Sequence, residues 1–297
     1  MTSEISRRVF MASSTAGAFA ANLAAKTFVP QKIGVELYTV RSLMPKEDDK
    51  VLEELAKIGY KELEGDHPTF LRIASKAKSL GLTMPSAHIY TPAVLGTWDE
   101  WKVVPNLKPM ELEKMLTDLK GVGVEYAVVP YLMPGERKPE VISKFGEKMN
   151  KAGEVAAKLG MHLAYHNHAF EFGEMGGKRI FDIMFEGTDP KLVQLETDVF
   201  WLSVAGQNPV EFLQKHKDRV RLVHLKDKNP AQKVQHSEEV EHDAFKAVGK
   251  GSLDFKAVLE ACNKAGVKHY FVEQDWTPGD PIASLRDSYQ YLNGLRA

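Results

Sequence analysis

The chain has 297 residues, 43% of them apolar, with 39 basic and 40 acidic side chains and a formal net charge of −1. Charge this balanced argues against a nucleic-acid surface, which needs Lys and Arg in excess on one face. The length suits one large domain, because an α/β barrel takes about 250 residues, and a lone Cys262 excludes an intramolecular disulfide.

Residues 1–30 differ in character from the rest of the chain. Ser6-Arg7-Arg8-Val9-Phe10 is a twin-arginine pattern, and a weakly apolar run from Met11 to Ala25 leads to small residues at Ala18-Phe19-Ala20 and Leu23-Ala24-Ala25 that suit a signal peptidase. The run is too short and too rich in Ala and Ser to span a bilayer. The expectation is a twin-arginine leader and an exported, periplasmic protein that has no membrane segment once the leader is removed. Cys262, in a predicted helix beside Leu259 and Ala265, reads as a small buried apolar residue.

From residue 31 to residue 297, short β-rich runs alternate with helical patterns. Strands are predicted at Ile33 to Tyr38, Tyr60 to Glu64, Thr83 to His88, Tyr126 to Tyr131, His162 to His166, Val193 to Asp198, Arg221 to Leu225 and Tyr270 to Glu273. Asp49 to Ile58 and Ser143 to Leu159 carry apolar residues at helical spacing. Gly59, Gly81, Gly160 and Gly266 each close a helix just before the next strand, as left-handed C-terminal caps do. Eight strand–helix units predict a single (β/α)8 barrel of the α/β class.

Period-2 alternation assigns the inward face. It carries Glu36, Glu62 and Glu64 on the first two strands; His162, Ala164 and His166 on the fifth; Gln194, Glu196 and Asp198 on the sixth; Phe271 and Glu273 on the eighth. So many inward carboxylates are costly unless they pair or bind something. Two long segments, Ile89 to Pro109 and Lys228 to Ser252, come directly after strand ends and would overhang the C-terminal rim, where barrel enzymes do their chemistry.

Four strand-end residues, His166, Asp198, His224 and Glu273, make a divalent-metal set. Two imidazoles with two carboxylates suit Mn²⁺, Zn²⁺, Co²⁺ or Fe²⁺ better than Mg²⁺. In Tyr165-His166-Asn167-His168, His168 shares a face with His166 and can handle protons or substrate hydroxyls, with Phe170 and Phe172 placed to flank a sugar ring. Lys226 shares a face with His224 and can serve as an electrophile, or else pair with Asp227. Asp275 lies beyond Glu273 on one face, and Trp201 and Trp276 stand beside the mouth, where aromatic faces suit carbohydrate. Glu36 and His88 complete the candidate substrate-binding residues. Gly249-Lys250-Gly251-Ser252 can cradle a phosphate at a helix start, although a turn capped by Ser252 or Asp254 accounts better for the same residues.

On those motifs the chain resembles the xylose isomerase-like barrel superfamily, and within it the sugar (phosphate) isomerase/epimerase branch with a YHNH-type fifth strand. The resemblance runs from Lys32 to Leu295 and includes Gly34-Val35-Glu36-Leu37-Tyr38-Thr39-Val40-Arg41, His224-Leu225-Lys226-Asp227, Val272-Glu273-Gln274 and Gly249-Lys250-Gly251. Epimerases of that branch bind one divalent metal through Glu, Asp, His and Glu at strand ends, the two Glu also being the acid/base pair. Here His166 stands at the first of those positions and Trp201 stands where a His is common. The resemblance implies a metal chelating adjacent oxygens of a keto- or aldo-sugar and stabilising an enediolate, with Glu273 abstracting the proton α to the carbonyl. Reprotonation by His168 or Asp275 gives isomerisation or epimerisation, which is the first expectation. Loss of a β-substituent gives a dehydratase or lyase, which the missing carboxylate strengthens. An exported sugar-binding barrel without turnover is the alternative of another class. The expected partner is a small, unphosphorylated carbohydrate, with no nucleic acid; a homo-oligomer is compatible with such a barrel.

Overall fold

The computed structural model describes residues 29–296. Eight parallel strands close into a barrel: β1 Gly34–Glu36, β2 Glu62–Asp66, β3 Thr83–His88, β4 Tyr126–Val129, β5 His162–His166, β6 Val193–Asp198, β7 Val220–Leu225 and β8 His269–Val272. Each strand pairs with its sequence neighbours, and β8 returns to β1 with Gly34 opposite Phe271. Every strand leads into a helix, among them Asp48–Ile58, His67–Ser79, Leu112–Gly121, Phe145–Lys158, Phe255–Ala265 and Pro281–Gly294. This is the eightfold architecture expected. The twin-arginine segment lies outside the described residues, and among those residues no helix is long and apolar enough to cross a membrane.

Most strand limits agree with the sequence pattern, and the differences have local causes. β1 stops at Glu36 because its carboxylate accepts from the Tyr38 amide at 3.1 Å and starts a turn of 3-10 helix, Leu37–Val40. β4 stops before Pro130, which has no N–H to offer the ladder. The closing glycines do adopt left-handed backbone, for example φ +67° at Gly160 and +76° at Gly266.

The interior is divided by height. Tyr126, Val128, Ala164, Leu222 and Phe271 form an apolar plug inside the lower barrel, separate from the large core between strands and helices that contains Cys262. Gly34 makes room for that plug, since a Cβ there would lie 2.5 Å from the Phe271 ring. Above the plug the interior turns ionisable, with Glu36, Glu64, His166, Glu196 and His224 all buried and His88 nearly so. Ladder irregularities opposite Glu64 and opposite Glu196 each add a residue to the neighbouring strand, and such bulges re-aim side chains beside barrel sites.

Candidate active site

The C-terminal ends of the strands open into a cavity of about 620 Å³, within the size range of small-molecule sites. His88, His166, His168, Trp201, Lys226, Glu273 and Asp275 line it. Both long segments overhang it as expected, Trp101 and Leu107 from one and Glu238, Val240 and Phe245 from the other. Arg137 joins the rims by pairing with Glu238 at 2.8 Å while lying over the Phe170 ring at 3.9 Å.

Local structure fixes each wall residue. Asp198 ends β6 and caps the helix Val199–Val204 by accepting from the Trp201 amide at 2.9 Å, so the helix start carries Trp201 to the cavity. The Asn167 side chain accepts from the Asp198 amide at 3.1 Å and ties the ends of β5 and β6 together. His168 stands between Tyr131 and Trp201, with ring centroids 5.1 and 5.3 Å away. Its amide donates to Glu171 at 2.9 Å, and the Tyr165 hydroxyl donates to the same carboxyl at 2.7 Å.

Lys226 is almost fully buried, and its ammonium lies 3.1 Å from Asp198, 2.7 Å from Glu273 and 2.5 Å from Asp275. Burial alone would depress the ammonium, but these carboxylates outweigh it and hold Lys226 well above the ordinary lysine range. In return Lys226, aided by His224, holds Glu273 well below the usual carboxylate range despite burial. Burial pushes Asp275 up to about 6 against the pull of Lys226. Burial, with His166 and Lys226 nearby, drives His168 far down, so its imidazole is neutral.

Beneath the cavity floor the charges crowd further. The His224 ring bridges two carboxylates, its Nδ1 2.8 Å from Glu273 and its Nε2 2.5 Å from Glu64. Glu64 also accepts from the Ser86 hydroxyl. Glu196 is wholly buried, its Oε2 lying 3.5 Å from His88, 3.2 Å from His166 and 3.3 Å from His224, yet neither of its oxygens makes a hydrogen bond. His166 Nδ1 and Asp198 Oδ2 are also without one. Burial pushes His88 down, but Glu36, Glu64 and Glu196 prevail and lift it to about 10; burial lifts Glu36 to about 8.

Among the described residues, two groups could hold a metal ion, Glu64–His88–Glu196–His224 and His166–Asp198–His224. Unpartnered buried oxygens beside imidazole nitrogens are the donor mixture a divalent transition metal takes, so the residues fit such an ion. Of the four ligands expected from the sequence, the structure brings His166, Asp198 and His224 together and puts Glu273 on the far side of the His224 ring, against Lys226. Glu64, His88 and Glu196 are not among the ligands expected from the sequence, although two of them stand on the predicted inward face.

Other candidates fall elsewhere. Glu36 lines an adjoining cleft with Arg41 and Asp66 and does not line the main cavity. Trp276 stacks on His242 at 4.8 Å outside it. Phe170 and Phe172 are buried core residues, Phe172 against Phe181 and Phe212, and flank no open space. Lys226 does not pair with Asp227. That carboxylate instead accepts from the amides of Lys228, Gly249, Gly251 and Leu253, so it occupies the cradle a phosphate would need, and Asp254 caps the helix beyond.

Comparison with known proteins agrees with this architecture. A family model described as xylose isomerase-like TIM barrel matches residues 52–295. Inosose dehydratase of Geobacillus thermodenitrificans (strain NG80-2) is 35% identical over 154 residues, 48% of this chain and 51% of that protein. Inosose dehydratase of Geobacillus kaustophilus (strain HTA426) is 29% identical over 231 residues, 71% of this chain and 68% of that one. The chain thus spans about half the length of the first curated relative and two thirds of the second. Among solved structures, a sugar phosphate isomerase/epimerase from Parabacteroides distasonis ATCC 8503 superposes with a TM-score of 0.71 at 24% identity, covering 88% of this chain and 97% of that one. The 3-keto-D-glucoside 4-epimerase of E. coli superposes with a TM-score of 0.63 at 20% identity, covering 89% and 100%. At these identities the structures speak to the fold.

Proposed function

The chain belongs to the xylose isomerase-like TIM barrel family, and from that premise we propose that it removes the proton α to the carbonyl of a keto-sugar or keto-cyclitol and expels the β-oxygen, as a dehydratase or lyase. One observation carries the reading. Four carboxylates line the cavity, and two are committed, Asp66 to the Thr69 amide and Glu238 to Arg137. The remaining two, Glu273 and Asp275, leave the same strand end and share the Lys226 ammonium. Epimerisation by two bases needs carboxylates on opposite faces of the substrate. Elimination needs a base and a proton donor serving neighbouring atoms, and this wall offers both together.

The donors around His224, namely Glu64, His88, His166, Glu196 and Asp198, fit a divalent cation, which when bound supplies Lewis-acid polarisation of substrate oxygens. The chain's own groups do the rest. Glu273, kept ionised by Lys226, takes the α-proton. The freed electron pair forms the carbon–carbon double bond, and the β carbon–oxygen bond breaks. Lys226 and Asp275 donate toward the departing oxygen, which leaves as water or an alcohol, so the step is redox-neutral. The neutral His168 imidazole, held between Tyr131 and Trp201, binds a ring hydroxyl while the Trp201 face packs on the sugar. The twin-arginine pattern supports export, and with it an unphosphorylated substrate.

Isomerisation or epimerisation is the second reading, favoured by the fold shared with the two epimerase structures. Both readings begin with the same proton abstraction. The test is to incubate keto-sugars and keto-cyclitols with the protein and Mn²⁺, Co²⁺ or Zn²⁺ in D₂O. Elimination yields an unsaturated carbonyl product lighter by water or alcohol; isomerisation yields a product that keeps every heavy atom and is heavier only by the deuterium taken up. Glu273→Gln should abolish both turnover and deuterium incorporation. Incorporation at the wild-type rate in that variant would remove Glu273 as the base and end the proposal.

A further inference from the structure

We infer that the substrate has two rings, and that the cleft beside the main cavity is a second sugar site. Tyr38 is its platform, Arg41 braces that platform, and the site holds the alcohol part of a keto-glycoside. The inference deepens the proposed function and rests on its premise that the β-oxygen is expelled.

The cleft has a volume of about 370 Å³, at the lower end of the range for small-molecule sites. Tyr38, Asp66 and His88 line both the cleft and the main cavity, so the two spaces meet at these side chains. Tyr38 is the one Phe, Tyr or Trp among the described residues that is exposed, at 49%. The Arg41 guanidinium lies over its ring, 3.9 Å from the centre. Arg41 is itself fixed, donating to the Tyr38 carbonyl at 2.7 Å and to the Asp275 carbonyl at 2.6 Å. Both bonds go to backbone, so the guanidinium keeps further N–H groups for a ligand.

The rest of the wall suits hydroxyls. Glu36 and Asp66 bring carboxyl groups to the same cleft as Arg41, and Arg72 there is already paired with Asp48 at 2.5 Å. A hydroxyl both donates and accepts, so this mixture serves a polyol better than an anion. An aromatic face beside such groups is what a sugar ring packs on.

Position in the barrel says which part of the substrate belongs here. The cleft is built where β1 and β2 end, and β1 pairs with β8. Arg41 reaches across to the β8 end that carries Asp275, one of the groups proposed to serve the departing oxygen. His168 and Trp201, which hold the reacting ring, follow β5 and β6 on another side of the barrel. A ring held there with its β-oxygen toward Asp275 directs whatever that oxygen carries into the cleft. Water as the leaving group would leave the cleft unused; a second sugar fills it. The step stays balanced: Glu273 takes the α-proton, the carbon–carbon double bond forms and the β carbon–oxygen bond breaks. The departing oxygen takes a proton from the Lys226–Asp275 pair and leaves as a free hydroxyl of the second sugar.

Binding is measured first, because it needs no turnover. Mn²⁺-loaded protein is titrated by calorimetry with glucose, trehalose, maltose and cellobiose, none of which carries the ketone. At least one disaccharide should bind about 10-fold more tightly than glucose, the scale of one added ring stacked on an aromatic face. Tyr38→Ala and Arg41→Ala should remove most of that ratio, whereas a merely structural role would weaken glucose and disaccharide alike. Circular dichroism checks folding. The inference is overturned if none of the sugars binds, if no disaccharide gains over glucose, or if the ratio survives Tyr38→Ala (Arg41→Ala, should that variant fail to fold). Disaccharides oxidised to the ketone then separate the two readings. The expected ratio without elimination from any ketone sinks the proposed reaction and leaves the second sugar site standing. Elimination from keto-cyclitols with no gain from a second ring keeps the reaction and ends this inference.

Discussion

Replacing Lys226 with methionine tests the arrangement of the rim most directly. The side chain is almost fully buried, and its ammonium faces three carboxylates within 3.1 Å. Methionine fills the same volume but leaves Asp198, Glu273 and Asp275 buried together without a counter-charge. Breaking a buried ion pair from one side costs about 3–5 kcal/mol, a large share of the roughly 5–15 kcal/mol that holds a domain folded. For a chain of this size that is a fall of about 10 °C in Tm. Activity changes in a direction the charges dictate. Lys226 is the strongest influence opposing burial at Glu273, whose pKa lies below the ordinary range, so the base is ionised and active above that pKa and is lost as pH falls through it. Without Lys226 the acid limb of kcat/KM should move to higher pH, by at least about one unit. Urea unfolding at pH 7 and a pH–rate profile measure the two effects. Lys226→Met/Asp275→Asn, which removes one stranded carboxylate, should recover part of the lost stability, a coupling a double-mutant cycle isolates. A loss below about 1 kcal/mol together with an unmoved acid limb would refute the reasoning, since an ammonium so placed cannot be removed silently.

Glu171 gives a pH dependence of stability that is separate from the reaction. Burial pushes its carboxyl up to about 7, although the His168 amide and the Tyr165 hydroxyl donate to it. A folded pKa above the unfolded one stabilises below the unfolded value and is lost as pH rises to the folded value, so this contribution falls between about pH 4.5 and 7 by up to about 3 kcal/mol. Glu171→Gln should flatten that slope in urea unfolding at several pH values; an unchanged slope would mean the carboxyl is ionised throughout. Asp227→Ala strands the amides of Lys228, Gly249, Gly251 and Leu253. With each unsatisfied buried amide costing about 1–3 kcal/mol, the expected loss is several kcal/mol, and added phosphate should restore little of it. Gly34→Ala puts a Cβ 2.5 Å from the Phe271 ring and should cost about 1–3 kcal/mol in chemical denaturation, with Gly34→Ala/Phe271→Leu recovering most of it.

The fold was legible because its local signals agree. Parallel strands read as short apolar runs, and at Gly59, Gly81, Gly160 and Gly266 a left-handed residue closes each helix just ahead of the next run. Misplaced strand ends trace to interactions that pattern does not contain. The turn that cuts β1 short depends on where the Glu36 carboxylate points, and Pro130 ends β4 although the run of residues around it stays β-rich. Phe170 and Phe172 read as sugar-flanking residues because they come after the densest polar motif of the chain. They are core residues because the segment after β5 folds back as 3-10 helix, Phe170–Phe172, and packs Phe172 on Phe181 and Phe212.

The site was legible in direction but not in depth. Alternation along a strand says which side chains point inward, and by that rule Glu64 and Glu196 stood beside Asp198 and Glu273 as equals. It says nothing of height, which is set by how far neighbouring strands are staggered around the barrel. Reading only strand ends selected the uppermost ionisable residue on each strand, Asp198 among them, and left Glu196, two residues below it on the same face, out of the expected set. The irregularities opposite Glu64 and Glu196 then decide which atoms meet across strands, and no single strand's sequence records them. A buried lysine changes the problem again. Lys226 looks in sequence like a rim residue free to pair with its neighbour Asp227, whereas the barrel turns it inward to neutralise the carboxylates at the strand ends, and Asp227 outward to organise a loop. The ammonium thus sits among the strand-end carboxylates, while among the described residues the ionic partners of Glu64 and Glu196 are imidazoles. Which carboxylates face a lysine and which face only histidine therefore depends on where the fold puts one positive charge, a fact that the spacing of His and Glu along the chain does not contain.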